Sequence, residues 1–351
     1  MKAILLAGGK GTRLRPLTLH TPKPIVPIFD RPFLAYQIDL LKQVPEIDEV
    51  ILSLNYQPRR LEETFGEGAG LGLRLRYVVE PSPLGTGGAI RYAAQGIDET
   101  LVVFNGDVMT AVDVGAVVRL HQERQAKATI VLTPVDNPSA YGLVETAADG
   151  SVRRFLEKPT ADEITCDTIN AGIYVLEPET FDRIPKDTPY SIERAYFPSL
   201  VERRETFVAY IERGYWIDIG TPEKYLGVHR DVFDGRCPLG PAGIAAGTPV
   251  VAADARIEDG AVLEGRCFVD SGAVVKAGAH IGPYSVIGRG TVVEEDARIT
   301  GAIIWPNTRI SRDAVVDGAL IGRSCHVGRN ARVGATAILG DKTALTDFTQ
   351  V

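Results

Sequence analysis

The chain has 351 residues, 45% hydrophobic and 24% charged, the balance of an ordinary globular protein with room for two domains. Its formal net charge of -7 argues against nucleic acid or an anionic membrane as partner, although a local basic cluster could still capture a small anion. No apolar run of about 18 residues occurs, and Cys166, Cys237, Cys267 and Cys325 stand far apart with no C-x-x-C pair, which indicates neither zinc nor a disulfide framework.

Met1-Lys2 leads straight into the apolar run "KAILLA", with no small-residue cleavage site, so a cytoplasmic location is expected. That run reads as a strand. The stretch that follows, "GGKGTRLRPLTLHTPKP", looks like a phosphate-binding loop but is neither of the common kinds. A Walker A loop needs Ser or Thr after its Gly-Lys pair, and here Lys10 is followed by Gly11. The dinucleotide fingerprint needs a third glycine where this chain has Leu14. What remains is a glycine turn directly after a strand, with Arg13, Arg15 and Lys23 close behind. Glycines let backbone N–H groups approach phosphate closely, Arg13 offers a forked permanent donor, and Lys23 a mobile point charge. A triphosphate cradle of a third type accounts for all of these; the part of Arg15 is left open.

Downstream, "PFLAYQIDLLKQV" and "GAIRYAAQGI" carry apolar residues at helical spacing, and "EVILSL", "LRLRYVV" and "LVVFN" read as strands. The alternation predicts an α/β domain over residues 1–235. Ligands in such sheets bind beyond the carboxyl ends of strands. "VVFNGDV" sets Asp107 just past one such end, and "GYWIDIG" sets Asp218 after another strand-like run. Two carboxylates meeting at one point suffice for Mg2+, which fills its remaining positions with phosphate oxygens and water. In "EKP", the adjacent Glu157 and Lys158 would point to opposite faces if both lay on a strand. The segment "VFDGRCPLGPAG", rich in Gly and Pro, marks a linker over about 236–250.

From Val251 the period changes. Aliphatic residues recur every sixth position through Ile257, Leu263, Val269, Val275, Ile281, Ile287, Val293 and Ile299, and after single five-residue steps resume at Ile304 and Ile321. A small residue, first Ala255, lies two positions before each later anchor; Cys267 and Cys325 fill this slot and are expected to be inert packing. This is the hexapeptide repeat of a β-helix over 251–351, stacked so that its core is continuous. The expected fold is thus a Rossmann-like, mostly parallel mixed sheet with flanking helices, followed by a C-terminal left-handed parallel β-helix. His280 and His326 each precede an anchor, hence face outward, and no loop interrupts the hexads, which disfavours a second, acyltransferase activity. With no catalytic motif beyond about residue 235, the repeats are expected to serve assembly, and an open-ended coil invites a homo-oligomer.

"LLAGGKGTRLRPLTLHTPKP", "PLGTGGA", "FNGDV", "FLEKP", "NAGIYVL" and "GYWIDIGTPEKY", in this order, resemble the motifs of the sugar-1-phosphate nucleotidyltransferases. The resemblance implies a nucleotide site of Leu6, Ala7, Gly8, Gly9, Gly11, Thr12, Arg13, Lys23, Glu80, Pro83, Leu84, Gly85, Thr86 and Asp107. It implies a sugar-phosphate site of Asn105, Gly106, Tyr141, Gly142, Glu157, Lys158, Asn170 and Gly172, with Asp107 and Asp218 on the metal. Arg13 would grip the departing phosphates, Lys23 the reacting ones, and Lys158 the phosphate of the sugar. Among substrates it favours GTP with mannose-1-phosphate, over glucose-1-phosphate with dTTP or UTP, or a heptose phosphate with GTP. A catalytically dead regulatory relative is disfavoured because every charged motif position is filled. Glu80 is the base-reading candidate: an ionised carboxylate only accepts, and guanine presents two adjacent donors.

Overall fold

The computed structural model describes residues 1–351. The chain forms two compact units, one of Met1–Gly9 with Leu34–Asp218, the other of Lys10–Phe33 with Ile219–Val351.

The first unit is built on a nine-stranded mixed sheet. Strand Lys2–Leu6 is central, paired in parallel with Glu49–Leu54 on one side and Leu101–Asn105 on the other, and Arg74–Val79 extends the parallel set. These are the four runs expected as strands; the near-continuous aliphatic sequence of the inner three suits strands covered on both faces, while Arg74–Val79 lies at the sheet edge with Arg74 exposed. Thr168–Leu176 then runs antiparallel to Leu101–Asn105 and brings in Ala128–Pro134, which in turn pairs in parallel with Phe207–Ile211. The expected helices occur as Phe33–Leu41 and Gly85–Ala93. The core gathers Ile4, Ile51, Ile90, Val103, Ile130, Leu132, Tyr174 and Phe197.

In the second unit every anchor of the hexapeptide repeat lies in a short strand, from Val250–Val251 to Ala344–Leu345, the anchors from Ile257 onward pack into one core, and the strands form three parallel sheets. The anchors from Val269 to Val333 are essentially inaccessible, as are the small residues from Cys267 to Ala331. Val251 at the open first coil is 37% exposed, because it has no preceding coil to cover it. Corners take left-handed residues, among them Gly260, Gly278, Asn307 and Asn330. The two five-residue steps fall at stacked corners: strands Arg298–Thr300 and Val315–Asp317 are paired, and Gly301 and Gly318 follow them, both with positive φ. Burial pushes the Cys267 thiol up to about 11 and raises that of Cys325, as an inert packing role requires.

Candidate functional site

In the first unit the glycine turn leaves the end of strand Lys2–Leu6. A Cβ on Gly8 would meet the Asn55 amide nitrogen at 3.1 Å, whereas one on Gly9 would meet nothing within 4 Å. Gly8 is therefore tightly packed, and Gly9 leaves open, exposed backbone. Beside this turn, the Gly106 amide donates to the Leu6 carbonyl at 3.0 Å, and any Cβ on Gly106 would strike that oxygen at 2.4 Å. The Asn105-Gly106-Asp107 turn is thus tied to the end of the neighbouring strand with no room for a side chain at its centre.

Beyond that turn, Val108–Thr110 forms an antiparallel ribbon with Trp216–Asp218, in the register Asp218 opposite Val108. Asp218, expected just after a strand, is the strand's last residue. The ribbon makes Asp107 and Asp218 neighbours although 111 positions separate them in sequence, the difference of their numbers. Tyr141 donates its phenol to Asp218 Oδ1 at 3.0 Å and packs edge-on against Trp216, whose indole N–H is held by the Ala171 carbonyl at 2.9 Å. No group of three or more His, Cys, Asp or Glu side chains is arranged to hold a metal. The available set is two hard carboxylates, which suits a cation completed by substrate oxygens.

Glu157 ends strand Val152–Glu157, but Lys158 lies off it with φ 56° and its amide on the Tyr141 carbonyl. Opposite faces of one strand is therefore not the arrangement: a left-handed turn, here in a non-glycine residue, re-aims the exposed Lys158. Burial, then the Glu193 carboxylate, raise the Glu157 pKa, while Lys158 opposes them. Gly142 faces Glu157, and a Cβ there would lie 3.1 Å from Glu157 Oε2. Asn170 sits where its strand shifts register; its side chain donates to Tyr174 Oη and accepts from the Gly172 amide, both at 2.9 Å. Gly172, with φ 76°, passes so close to Asn105 that a Cβ would meet Asn105 Nδ2 at 2.8 Å. Asn105 Oδ1 is buried with no hydrogen-bond partner, a free acceptor at this point of the unit.

Glu80 is 9% exposed. It accepts from Ser53 Oγ at 3.3 Å on Oε1 and from the Leu84 amide at 2.9 Å on Oε2, so it braces the loop through exposed Pro83 to Leu84 rather than pointing into water. The glycines of "PLGTGGA" have a packing reason too: Gly87 and Gly88 both donate to the Tyr190 carbonyl, and a Cβ on Gly85 would touch that carbonyl at 2.9 Å. Thr86 donates to Glu193 Oε2 at 2.7 Å.

In the second unit, residues 10–33 fold as a chain of short turns. Gly11 has φ 59°, and a Cβ there would meet the Lys23 Cβ and the Thr18 Cγ2, both at 3.2 Å. Thr18 Oγ donates to the Gly11 carbonyl at 2.7 Å, so the segment doubles back and sets Lys23 beside the glycine. Leu14, Leu17 and Thr18 are buried and anchor the turns; Thr12, Arg13 and Arg15 are exposed, while Lys23 is 8% exposed.

Four contributors escaped the sequence reading: Gln37, Ser53, Tyr174 and Glu193. Gln37 is 1% exposed and spans the Asp107 turn, its Nε2 donating to the carbonyls of Asn105 at 2.9 Å and Val108 at 2.7 Å. Its one legible signal is an uncharged polar residue inside the apolar helix "FLAYQIDLL". The other three carry no local signal, since their partners are far away in sequence.

Residues 2–235 match the family model described as nucleotidyl transferase, and residues 263–351 match one described as the GMPPB C-terminal domain. The chain is 38% identical over 317 residues to the mannose-1-phosphate guanylyltransferase of Mycobacterium tuberculosis, covering 90% of this chain and 82% of that one. It is 36% identical to a probable mannose-1-phosphate guanylyltransferase 1 of Oryza sativa subsp. japonica, covering 99% and 93%. Among solved structures, HddC from Yersinia pseudotuberculosis, in a complex with GMP-PN, superposes with TM-score 0.54 at 30% identity over 64% of this chain and 96% of that one. A glycine turn ahead of basic residues, a two-aspartate ribbon and these matches along both units lead to one statement: the chain belongs to the nucleotidyl transferase family.

Proposed function

We propose that this enzyme transfers a guanylyl group from GTP to mannose-1-phosphate, forming GDP-mannose and pyrophosphate. The observation that carries the reading is the ribbon register that makes Asp107 and Asp218 neighbours, with Tyr141 fixing the second carboxylate. Relatives that bear the mannose-1-phosphate guanylyltransferase name across nearly the whole chain support the choice of substrates, and the neighbour complexed with GMP-PN supports the base.

In this reading a phosphate oxygen of the sugar-1-phosphate attacks the α phosphorus of GTP in line. The bond from that phosphorus to the bridging oxygen breaks, and its electron pair leaves with pyrophosphate. A phosphate monoester has a second pKa of about 6, so the nucleophile is already ionised at neutral pH and no general base is needed. The work is alignment of two anions and neutralisation of charge. Arg13 grips the β and γ phosphates with its guanidinium, and Lys23 meets the reacting ones. Lys158 binds the sugar phosphate, and Glu157 and Asn170 meet sugar hydroxyls. The unpaired Asn105 Oδ1 is a further acceptor for such a hydroxyl. Asp107 and Asp218 would hold Mg2+, which when bound supplies charge neutralisation at the phosphates.

The test is pyrophosphate release measured across four nucleoside triphosphates and several sugar-1-phosphates. GTP with mannose-1-phosphate should give the highest kcat/KM. A preference for dTTP or UTP with glucose-1-phosphate would reject the assignment while leaving the family intact.

A further inference from the structure

The segment that carries Arg13 and Lys23 does not rest only on its own turns. It is laid along one face of the β-helix. A Cβ on Gly340 would meet Pro16 at 3.0 Å, so the backbone of one coil edge closes directly on the segment. Thr21 Oγ donates to Asp341 Oδ2 at 2.9 Å, a contact spanning 320 residues of sequence. Arg323 reaches the Ile25 carbonyl at 3.5 Å and lies over the Trp305 ring, 5.5 Å from its centroid. The Trp305 indole donates to Tyr225 Oη at 2.9 Å, and that phenol donates to the Pro27 carbonyl. Phe29 packs edge-on against Phe268 at 5.4 Å.

The order of these contacts is regular. As the segment ascends from Pro16 to Phe29, its β-helix partners descend from Gly340 and Asp341 through Arg323, and Trp305 acting through Tyr225, to Phe268. Each of those partners lies in, or just after, a strand of a single one of the three parallel sheets. Asp341 is held in turn, since its Oδ1 accepts from the Arg323 amide at 2.8 Å. Both carboxylate oxygens are therefore acceptors, one toward the coil and one toward Thr21, two residues before Lys23. An amide at this position keeps only one acceptor; facing Thr21 with its amino group, it would reverse that hydrogen bond and remove its ionic character, which weakens the contact.

We infer that Asp341 is a positioning residue for catalysis: through Thr21 it holds the Lys23 turn in register on a rigid β-helix face. The inference rests on the reading of Lys23 as a phosphate-binding group. It gives the repeats a task in the chemistry beyond the assembly role expected of them, and it predicts a loss located in turnover, not in folding.

The experiment uses the full chain with GTP, mannose-1-phosphate and Mg2+, and compares Asp341→Asn, Thr21→Val, Lys23→Ala and the double variant Lys23→Ala with Asp341→Asn. Asp341→Asn should lower kcat about 10-fold, between the loss of one hydrogen bond and the roughly 100-fold cost of a 1 Å misplacement. The KM for mannose-1-phosphate should hold and the melting temperature should change little. In the Lys23→Ala background the same substitution should change kcat by less than about twofold, the scatter of independent sites. A purely structural Asp341 would show its full effect in both backgrounds, and that result overturns the proposal, as does wild-type kcat in Asp341→Asn. Thr21→Val reads the same contact from the other side if Asp341→Asn does not fold. Wild-type turnover in Lys23→Ala would instead remove the phosphate reading itself, and the inference with it.

Discussion

Asp218 lies opposite Val108 in an antiparallel ribbon, which places it next to Asp107. One carboxylate comes from a turn held by the first strand and the other from a strand end held by Tyr141. Replacing either aspartate with Asn keeps its shape and removes a hard anionic ligand. Turnover at saturating Mg2+ should fall by orders of magnitude, while the melting temperature stays near that of the parent chain. Near-parental turnover in one variant removes that residue from the proposed metal site.

Tyr141→Phe separates orientation from ligation. The ring keeps its edge-on packing on Trp216, 5.6 Å between centroids, while the hydrogen bond to Asp218 is lost. A hydrogen bond to a charged group contributes about 1.5–3 kcal/mol, so kcat/KM should drop roughly 10- to 150-fold. The Mg2+ concentration giving half-maximal rate should rise. An unchanged Mg2+ titration would show that Asp218 needs no help from Tyr141.

Glu80→Gln tests the reading of the base. Gln can turn its carbonyl to the Leu84 amide and its amino group to Ser53 Oγ, which can accept as well as donate, so the loop should survive. Guanine would then lose an anionic acceptor. The kcat/KM for GTP should fall by about 1–3 kcal/mol, roughly 5- to 150-fold, with UTP and dTTP much less affected. If the ranking of the four triphosphates does not move, Glu80 braces the loop and does nothing for the base.

Acid stability should reflect His229. The ring is buried, accepting on Nε2 from the Phe29 amide at 3.4 Å and therefore donating from Nδ1 to the Tyr225 carbonyl at 2.9 Å. Burial pulls it from its ordinary 6.5 down to about 4. In the window between those values the unfolded chain binds the proton and the folded chain does not, so stability is lost as pH falls through it. The slope is roughly 1.4 kcal/mol per pH unit. His121, also lowered by burial against the pull of Glu177, adds a slope of the same sign. Melting temperatures at pH 7 and pH 5 should therefore differ less in His229→Gln than in the parent chain; equal differences would place the acid sensitivity elsewhere.

What the sequence determined by itself is whatever repeats or punctuates locally. The hexads name the inward face of nearly every coil, because each anchor needs only its own strand and the next coil to be buried, and the two five-residue steps already mark the corners at Gly301 and Gly318. The parallel strands and the turns past their ends were equally plain, since apolar runs and glycines act within a few residues. Only the tertiary structure decided which distant groups meet. Nothing in "FLAYQIDLL" says that Gln37 will clasp the Asp107 turn, and Asn170 was legible as a strand-end amide but not as the partner of Tyr174 at a register shift. Lys158 looked like a strand residue until a left-handed turn re-aimed it. The contact of Thr21 with Asp341 is the extreme case: a single hydroxyl and a single carboxylate, 320 residues apart, leave no periodic trace in either segment. Their meeting follows from the length and stacking of the coils, which fold first has to build.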